Sequence, residues 1–457
     1  MSRGTILVIG VGGIGGPAAM ALARPGGPSL RLVDPDVVES SNLPRQVLFL
    51  PDEVGQRKAL LAARRLSGKG VSVEGVVDRF DESTASRLLR DVGVAIDATD
   101  GAATKDLVNS IVVEAGIPLV HAAAIQSEAR LLEIPAGGRP CIACVFGYAS
   151  ESPDAAGDTC ARVGVWPSVP GAIGALAAHA ALARIAMPAA RSNGLQVLDF
   201  ATPRALSLGV RPDSACPACG APRRRPNPVP HACAWAPEAF DEAVSERVVD
   251  LRLEQCPMNL FRAKMAIDAT DSGVELELWL GAEGAETVPS GLAALGHRVL
   301  VAEPRATGLR LVVRRGGGAS ASSKFDEDWH RRYARQIVLP EVGEAGQRRI
   351  AGADVVIEGE SEASATAALH LKAAGVGSIR VSAVRSDRAR GAGRWTLSAG
   401  HLAGAIDRRT RQGGALARFD GAVAADALLR AIVLGTRAPA FIAVSDDGVV
   451  RSEPIST

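Results

Sequence analysis

The stretch that decides the fold is Thr5-Ile6-Leu7-Val8-Ile9-Gly10-Val11-Gly12-Gly13-Ile14-Gly15. Residues 5–9 are a short apolar run rich in β-branched side chains, the composition of a buried parallel strand. Gly10, Gly12 and Gly15 then call for a tight turn into a helix near Gly16. Glycines let the backbone approach phosphates, and a helix N-terminus adds N–H donors and positive potential. Leu30 to Val33 reads as the next strand and ends at Asp34. A Rossmann unit places a ribose-binding carboxylate there, about 20 residues beyond the loop. To this point the pattern is α/β and Rossmann-like, and a nicotinamide enzyme fits it equally well.

Later residues shift the balance. Asn42, Arg45 and Gln46 follow the second strand, where their donors can reach a phosphate chain. Lys58, in Gly55-Gln56-Arg57-Lys58, adds a mobile ammonium suited to phosphates. Val94 to Asp100 reads as a strand ending in a carboxylate at the sheet's C-terminal edge, where open α/β sheets bind ligands and where Asp100 can hold Mg²⁺. Singly, Arg45 and Lys58 read as solvated surface charges and Asp100 as a helix N-cap. In this order they describe a site that grips a triphosphate and its magnesium, which is adenylation chemistry rather than hydride transfer.

Composition narrows the class. A chain of 457 residues is too long for one ordinary core, so two or three domains are expected. Lys and Arg number 51 against 50 Asp and Glu, so net charge gives no sign of nucleic-acid binding. The opening residues carry no charged region before a long apolar run, so no secretory signal and a cytoplasmic location are expected. The apolar stretch Ala172 to Met187 carries His179 and Arg184, and suits a buried helix better than a membrane span.

Of seven cysteines, four lie in Cys141-x-x-Cys144 and Cys216-x-x-Cys219. Two such pairs suit a tetrahedral structural Zn²⁺ pinning distant segments of one domain; redox pairs or buried thiols are the alternatives. Cys160 follows an acidic, small, Pro-containing stretch that reads as a mobile loop. It is either a candidate nucleophile or a buried apolar cysteine opening the next helix.

These motifs together resemble the ThiF/MoeB/HesA superfamily, relatives of the ubiquitin-activating enzymes. The resemblance covers residues 4–222 and is carried by Gly10-x-Gly12-Gly13-x-Gly15, Asp34-x-Asp36, Ser41-Asn42-Leu43-x-Arg45-Gln46, Gly55-Gln56-x-Lys58, Ala98-Thr99-Asp100 and the cysteine pairs. It implies binding of ATP and Mg²⁺, and adenylation of the C-terminal glycine of a ubiquitin-like carrier. It further implies that Asn42, Arg45 and Lys58 handle phosphates, Asp34 the ribose and Asp100 the metal. Cys160 stands where members link covalently to the carrier. Gly101 departs from the family's usual Asn after the metal aspartate. The family's Arg-Tyr-x-Arg-Gln segment, which usually precedes the first strand, is found here only at 332–336.

Residues 223–242 read as a Pro-rich linker. Residues 243–316 read as β-α-β-α-β-β, a small two-layer α/β sandwich. Cys256-Pro257 stands at its first helix, where the helix N-terminus favours a reactive thiolate over a mere spacer. The segment resembles the TusA/SirA-like sulfur-carrier family, which implies a persulfide on Cys256, although Asn259 replaces a frequent second proline. Residues 325–457 resemble a degenerate second ThiF/MoeB half. Arg332-Tyr333-Ala334-Arg335-Gln336 is retained, but the glycine loop has become Gly359-Glu360-Ser361-Glu362-Ala363. Glutamates there repel phosphate, so this half is expected to bind no ATP. By the resemblance, Arg335 reaches a triphosphate held by the first domain, within one chain or across a homodimer.

The parts join as an adenylyltransferase and sulfurtransferase. It would activate a sulfur carrier ending in Gly-Gly, receive sulfur on Cys256 from a cysteine desulfurase or other persulfide donor, and release a thiocarboxylate. Adenylation of a peptide or small acid is the alternative, followed by a non-catalytic scaffold for sulfur trafficking.

Overall fold

The computed structural model describes residues 4–68, 70–148, 163–187, 194–220, 248–254, 258–271, 273–294, 296–305, 308–316, 327–358, 361–382, 392–399, 402–409, 415–434, 440–444 and 450–454. The chain divides into two compact units, residues 1–229 with 339–457, and residues 230–338.

The first unit is built on an eight-stranded sheet. Its strands are β1 (Thr5–Ile9), β2 (Leu30–Val33), β3 (Val73–Val76), β4 (Val92–Asp97), β5 (Leu119–Ile125), β6 (Glu128–Ile134), β7 (Leu195–Asp199) and β8 (Arg204–Leu208), in the spatial order 3-2-1-4-5-6-7-8. Strands 1–5 run parallel and 6–8 antiparallel. The apolar run at β1 lies between β2 and β4, as a strand covered on both faces requires. Strand order reverses between β1 and β4, which opens a crevice at their carboxyl ends.

The helices of this part are α1 (Gly15–Leu22), α2 (Lys58–Ser67), α3 (Glu82–Leu88), α4 (Ala102–Glu114), α5 (Ile142–Phe146) and α6 (Val169–Ala186). Helix α6 is long and apolar enough to cross a membrane, yet it is largely buried, packed on β4, β5, β6 and α1. Arg184, expected to mark a core helix, is buried and bonds Glu133 through Nε at 3.0 Å and Nη2 at 2.7 Å.

The second unit carries β9 (Val248–Leu251), α7 (Met258–Asp268), β10 (Glu275–Leu280), α8 (Ala282–Ala294), β11 (Arg298–Arg305) and β12 (Gly308–Arg314). This is the expected β-α-β-α-β-β order. The sheet runs 11-12-10-9, with only β9 and β10 parallel. Leu276, Leu278 and Leu280 alternate into a core shared with Ala263, Ile267, Val288 and Leu292 of the helices. Helix α9 (Glu327–Ile337), which carries Arg335, belongs to this unit and packs on α7, with Phe261 stacked on His330 at 4.2 Å.

The rest of the chain returns to the first unit as α10 (Gly343–Ala351), β13 (Asp354–Glu358), α11 (Glu362–Ala374), β14 (Ser378–Ser382), β15 (Ala392–Ala399), β16 (Leu402–Arg409), α12 (Ala415–Leu434), β17 (Ala440–Val444) and β18 (Val450–Pro454). The β13-α11-β14 unit repeats the order of β1-α1-β2, with its two strands parallel. The other neighbour of β13 is the antiparallel β15, where β1 has the parallel β4. The sheet of this part thus departs from the all-parallel pairing around β1.

Helix α12 lies along α6, and one apolar core runs through both halves. A buried polar chain crosses the seam. Ser168 Oγ donates to Asp426 at 3.0 Å, Asp426 accepts from Arg430 Nε at 2.7 Å, and the Arg430 guanidinium lies 4.3 Å from the Trp166 ring centroid. Trp166 Nε1 in turn donates to Glu341 at 2.8 Å.

His370 of α11 is buried against Gly171 at the start of α6, and its Nδ1 has no hydrogen-bond partner. Burial, helped by the Arg418 charge, pushes its pKa down from 6.5 to about 4. The unfolded chain therefore takes up a proton between those values and the folded chain does not, so this contribution to stability is complete above pH 6.5 and is lost as pH falls toward 4. The expected loss is on the order of 3 kcal/mol. Denaturant unfolding across this range should show a shallower pH dependence in His370→Leu than in the wild-type chain.

Candidate active site and metal centre

The β1–α1 turn is shaped by close approach. Gly10 has φ +86°, and a Cβ there would sit 2.8 Å from the Ala98 carbonyl oxygen at the end of β4. A Cβ on Gly15 would sit 1.8 Å from the Gly10 carbonyl oxygen. No other residue type fits either position, so the turn is held against β4 at the strand-order reversal. Helix α1 has no side-chain cap at its N-terminus. The helix in the like position after β13, α11, is capped by Ser361, whose Oγ accepts the Ser364 N–H at 3.1 Å. Glu362, in its first turn, pairs with Arg418 at 2.7 Å. One helix start keeps the character of an anion site; the other fills it with its own oxygen and adds a carboxylate.

The predicted phosphate residues gather on this turn. Gln46 lies against Gly12, and Arg45 against Gly13. Both are buried, and Arg45 Nη1 donates to the Ser41 carbonyl at 2.8 Å. Asn42 is buried, with Nδ2 donating to Glu39 and Ser41. Gln46 Oε1 is buried with no partner, an acceptor open to a ligand donor. Lys58 opens α2 and is buried too. Packing of α2 covers its stem and its ammonium is paired with Asp36 at 3.2 Å, so the alternative of a solvated surface charge does not hold.

Asp34 ends β2 with both oxygens engaged: Oδ2 accepts the Val11 N–H at 2.7 Å and Oδ1 the Asp36 N–H at 2.8 Å. Burial raises its pKa against the opposing pull of Lys58. An ionised carboxylate has about four acceptor sites, so two remain for sugar hydroxyls.

Asp100 is exposed just beyond β4. The N-cap of α4 is Gly101, without a side-chain bond, so the capping alternative for Asp100 does not hold. A turn that a Cβ would fill, an orphaned amide oxygen, two buried cations and an exposed carboxylate make a donor set that fits a nucleotide triphosphate and a divalent ion. Within the same unit, sequence reasoning missed Pro170, whose Cβ lies against Gly13 from the start of α6, and the buried pair Asp97 and His121. A charged residue closing an apolar strand was the available signal for the pair.

Cys141, Cys144, Cys216 and Cys219 converge, with all four sulfurs within 4.8 Å of one another. The Cys141–Cys216 and Cys144–Cys219 separations are 3.6 and 3.3 Å, too long for disulfides. Zn–S bonds of about 2.3 Å place tetrahedral sulfurs about 3.8 Å apart, so the donor set suits zinc. Burial pushes the Cys141 thiol up to about 11 and raises Cys219 also. Burial opposes ionisation of Cys144 as well, but the Asp213 N–H and neighbouring donors bring its pKa below the ordinary value. Asn109 of α4, also missed from sequence, donates Nδ2 to Cys141 Sγ at 3.6 Å and accepts the Ile142 N–H at 3.0 Å. Cys160 and Cys256 lie outside the described residues.

Comparison with known proteins agrees with this geometry. The ThiF family matches residues 1–219, and Sulfurtransferase TusA matches residues 247–315. The chain is 37% identical to the SAMP-activating enzyme E1 of Haloferax volcanii, over 47% of this chain and 80% of that one. It is 32% identical to the sulfur carrier protein adenylyltransferase of Thermus thermophilus, over 48% of this chain and 83% of that one. It is 39% identical to the pig adenylyltransferase and sulfurtransferase MOCS3, over 48% of this chain and 49% of that one. The chain therefore belongs to the ThiF family, as a ThiF/MoeB-type adenylyltransferase fused to a TusA-like domain.

Proposed function

We propose that the chain adenylates the C-terminal glycine of a ubiquitin-like sulfur-carrier protein ending in Gly-Gly and then transfers sulfur to it, yielding a thiocarboxylate. The observation that carries this reading is the glycine turn held on the end of β4, with Arg45 and Gln46 against it and Asp100 exposed beside it. The names of the Thermus and pig relatives support the carrier and sulfur steps.

In this reading the turn, Asn42, Arg45 and Lys58 bind the triphosphate, and Asp34 holds the ribose. Asp36 orients Lys58. Asp100 would hold Mg²⁺, which supplies neutralising charge on the phosphates when bound. The carrier carboxylate attacks the α-phosphorus and pyrophosphate leaves. Arg335 stabilises the charge of that departure, from its own chain or from a second copy in a homodimer. The outer sulfur of a persulfide on Cys256, loaded by a cysteine desulfurase or other donor, attacks the adenylate carbonyl and expels AMP, leaving the carrier as an acyl disulfide on Cys256. The thiolate of Cys160 then attacks the Cys256 sulfur, releases the thiocarboxylate and leaves a disulfide that an external thiol reduces. Zinc on the four cysteines is structural, and a cytoplasmic location suits the free thiols. The capped, acidic start of α11 leaves the last half without nucleotide.

ATP–pyrophosphate exchange should depend on a Gly-Gly carrier and fall by about 100-fold or more in Asp100→Ala. Cys256→Ala should retain exchange and lose thiocarboxylate, read by mass spectrometry of the carrier. Exchange absent despite ATP binding would direct the search to peptides and small acids, and absence of ATP binding would leave the scaffold.

Elemental analysis should find one zinc per chain, reduced in Cys141→Ser. Because Cys141 stands near 11 without metal, zinc uptake at neutral pH should release protons, and affinity should weaken as pH falls. Calorimetry in buffers of different ionisation enthalpy checks this.

A further inference from the structure

We propose that Asp97 and His121 are a positioning pair for the magnesium aspartate Asp100. This rests on the nucleotide reading above. Asp97 is the last residue of β4 and has no exposed surface, while His121 is buried on β5. The two strands are parallel and pair Asp97 directly with His121, so the side chains meet across one rung of the sheet. His121 Nδ1 lies 2.8 Å from Asp97 Oδ2. The other oxygen, Oδ1, accepts the Thr99 N–H at 3.1 Å and the Thr99 hydroxyl at 2.7 Å.

These bonds act on the four residues that join β4 to α4. Asp97 clamps the backbone of Thr99 on one side of Ala98. The Ala98 carbonyl is the surface on which Gly10 rests. Asp100 is the next residue after the clamped Thr99, and α4 begins at Ala102. A shift at Asp97 therefore moves the seat of the glycine turn and the carboxylate beside it together. A bare carboxylate in this position would be neutral. Burial pushes Asp97 that way, but the His121 bond and charge, the Lys105 charge and Thr99 hold it below the ordinary carboxylate range. An ionised carboxylate only accepts, so Nδ1 carries the hydrogen. The pair thus acts on Asp100 through the chain that carries it, at Thr99, rather than through the carboxylate itself.

The test uses the full chain and calorimetric binding of α,β-methylene-ATP over a range of Mg²⁺ concentrations. His121→Leu keeps bulk and removes the donor. It should raise the Mg²⁺ needed for half-maximal binding by about 10-fold or more. His121→Asn, which returns an N–H donor, should recover most of this loss. Asp100→Ala should abolish the Mg²⁺ dependence. Should His121→Leu fail to fold, Thr99→Val removes one donor to Oδ1 and should shift the same curve in the same direction. Wild-type Mg²⁺ dependence in His121→Leu or Thr99→Val, with Asp100→Ala deficient, overturns the positioning role. Wild-type dependence in Asp100→Ala as well would instead overturn the magnesium reading on which it rests.

Discussion

The contact on which the rest of the first unit depends is that between the Gly10 turn and the carboxyl end of β4. Two adjacent parallel strands end at the same level, and the turn leaving one rests on the carbonyl of the other. That contact closes the crevice floor. It also sets where α1 starts, and so where uncapped N–H groups face. Arg45 and Gln46 arrive from the segment after β2, and Pro170 from the start of α6. The site is thus assembled by three chain segments around a turn that only glycine can make.

The C-terminal half is bonded to this assembly through α6. The same helix that sets Pro170 against Gly13 carries Gly171 under His370 and follows Ser168, which bonds Asp426. Removing one member of a buried charged network commonly costs 3–5 kcal/mol, because the partner is left uncompensated. A half whose own helix start is filled by Ser361 and Glu362 can still hold the other half's site in shape.

The four-cysteine cluster serves the same end from the other side of the sheet. Its sulfurs come from α5 and its preceding residue and from the segment near 216–219, two regions the sheet strands separate. Asn109 joins Cys141 to α4, the helix that begins after Asp100. The four-cysteine cluster and the crevice at the carboxyl end of β4 therefore share one helix.

Much of this was legible in the sequence. The strand-turn-helix at 5–15, the order of elements in 248–314 and the pairing of the cysteines all rest on local periodicity and spacing, which a linear chain displays directly. The ruin of the second loop was equally plain, since glutamates in place of glycines change both charge and space. What the sequence could not show was which side chains meet. Taken singly, Lys58 reads as a solvated surface charge until α2 is packed over it. Asp97 and His121 are 24 positions apart, and Ser168 and Asp426 258 apart. Their bonds follow from strand register and helix packing, which bring together residues that no local pattern relates. The sequence by itself determined the elements and the chemistry available at their ends; only the tertiary structure decided which buried groups hold that chemistry in place, because desolvated pairs exist only once the core has closed around them.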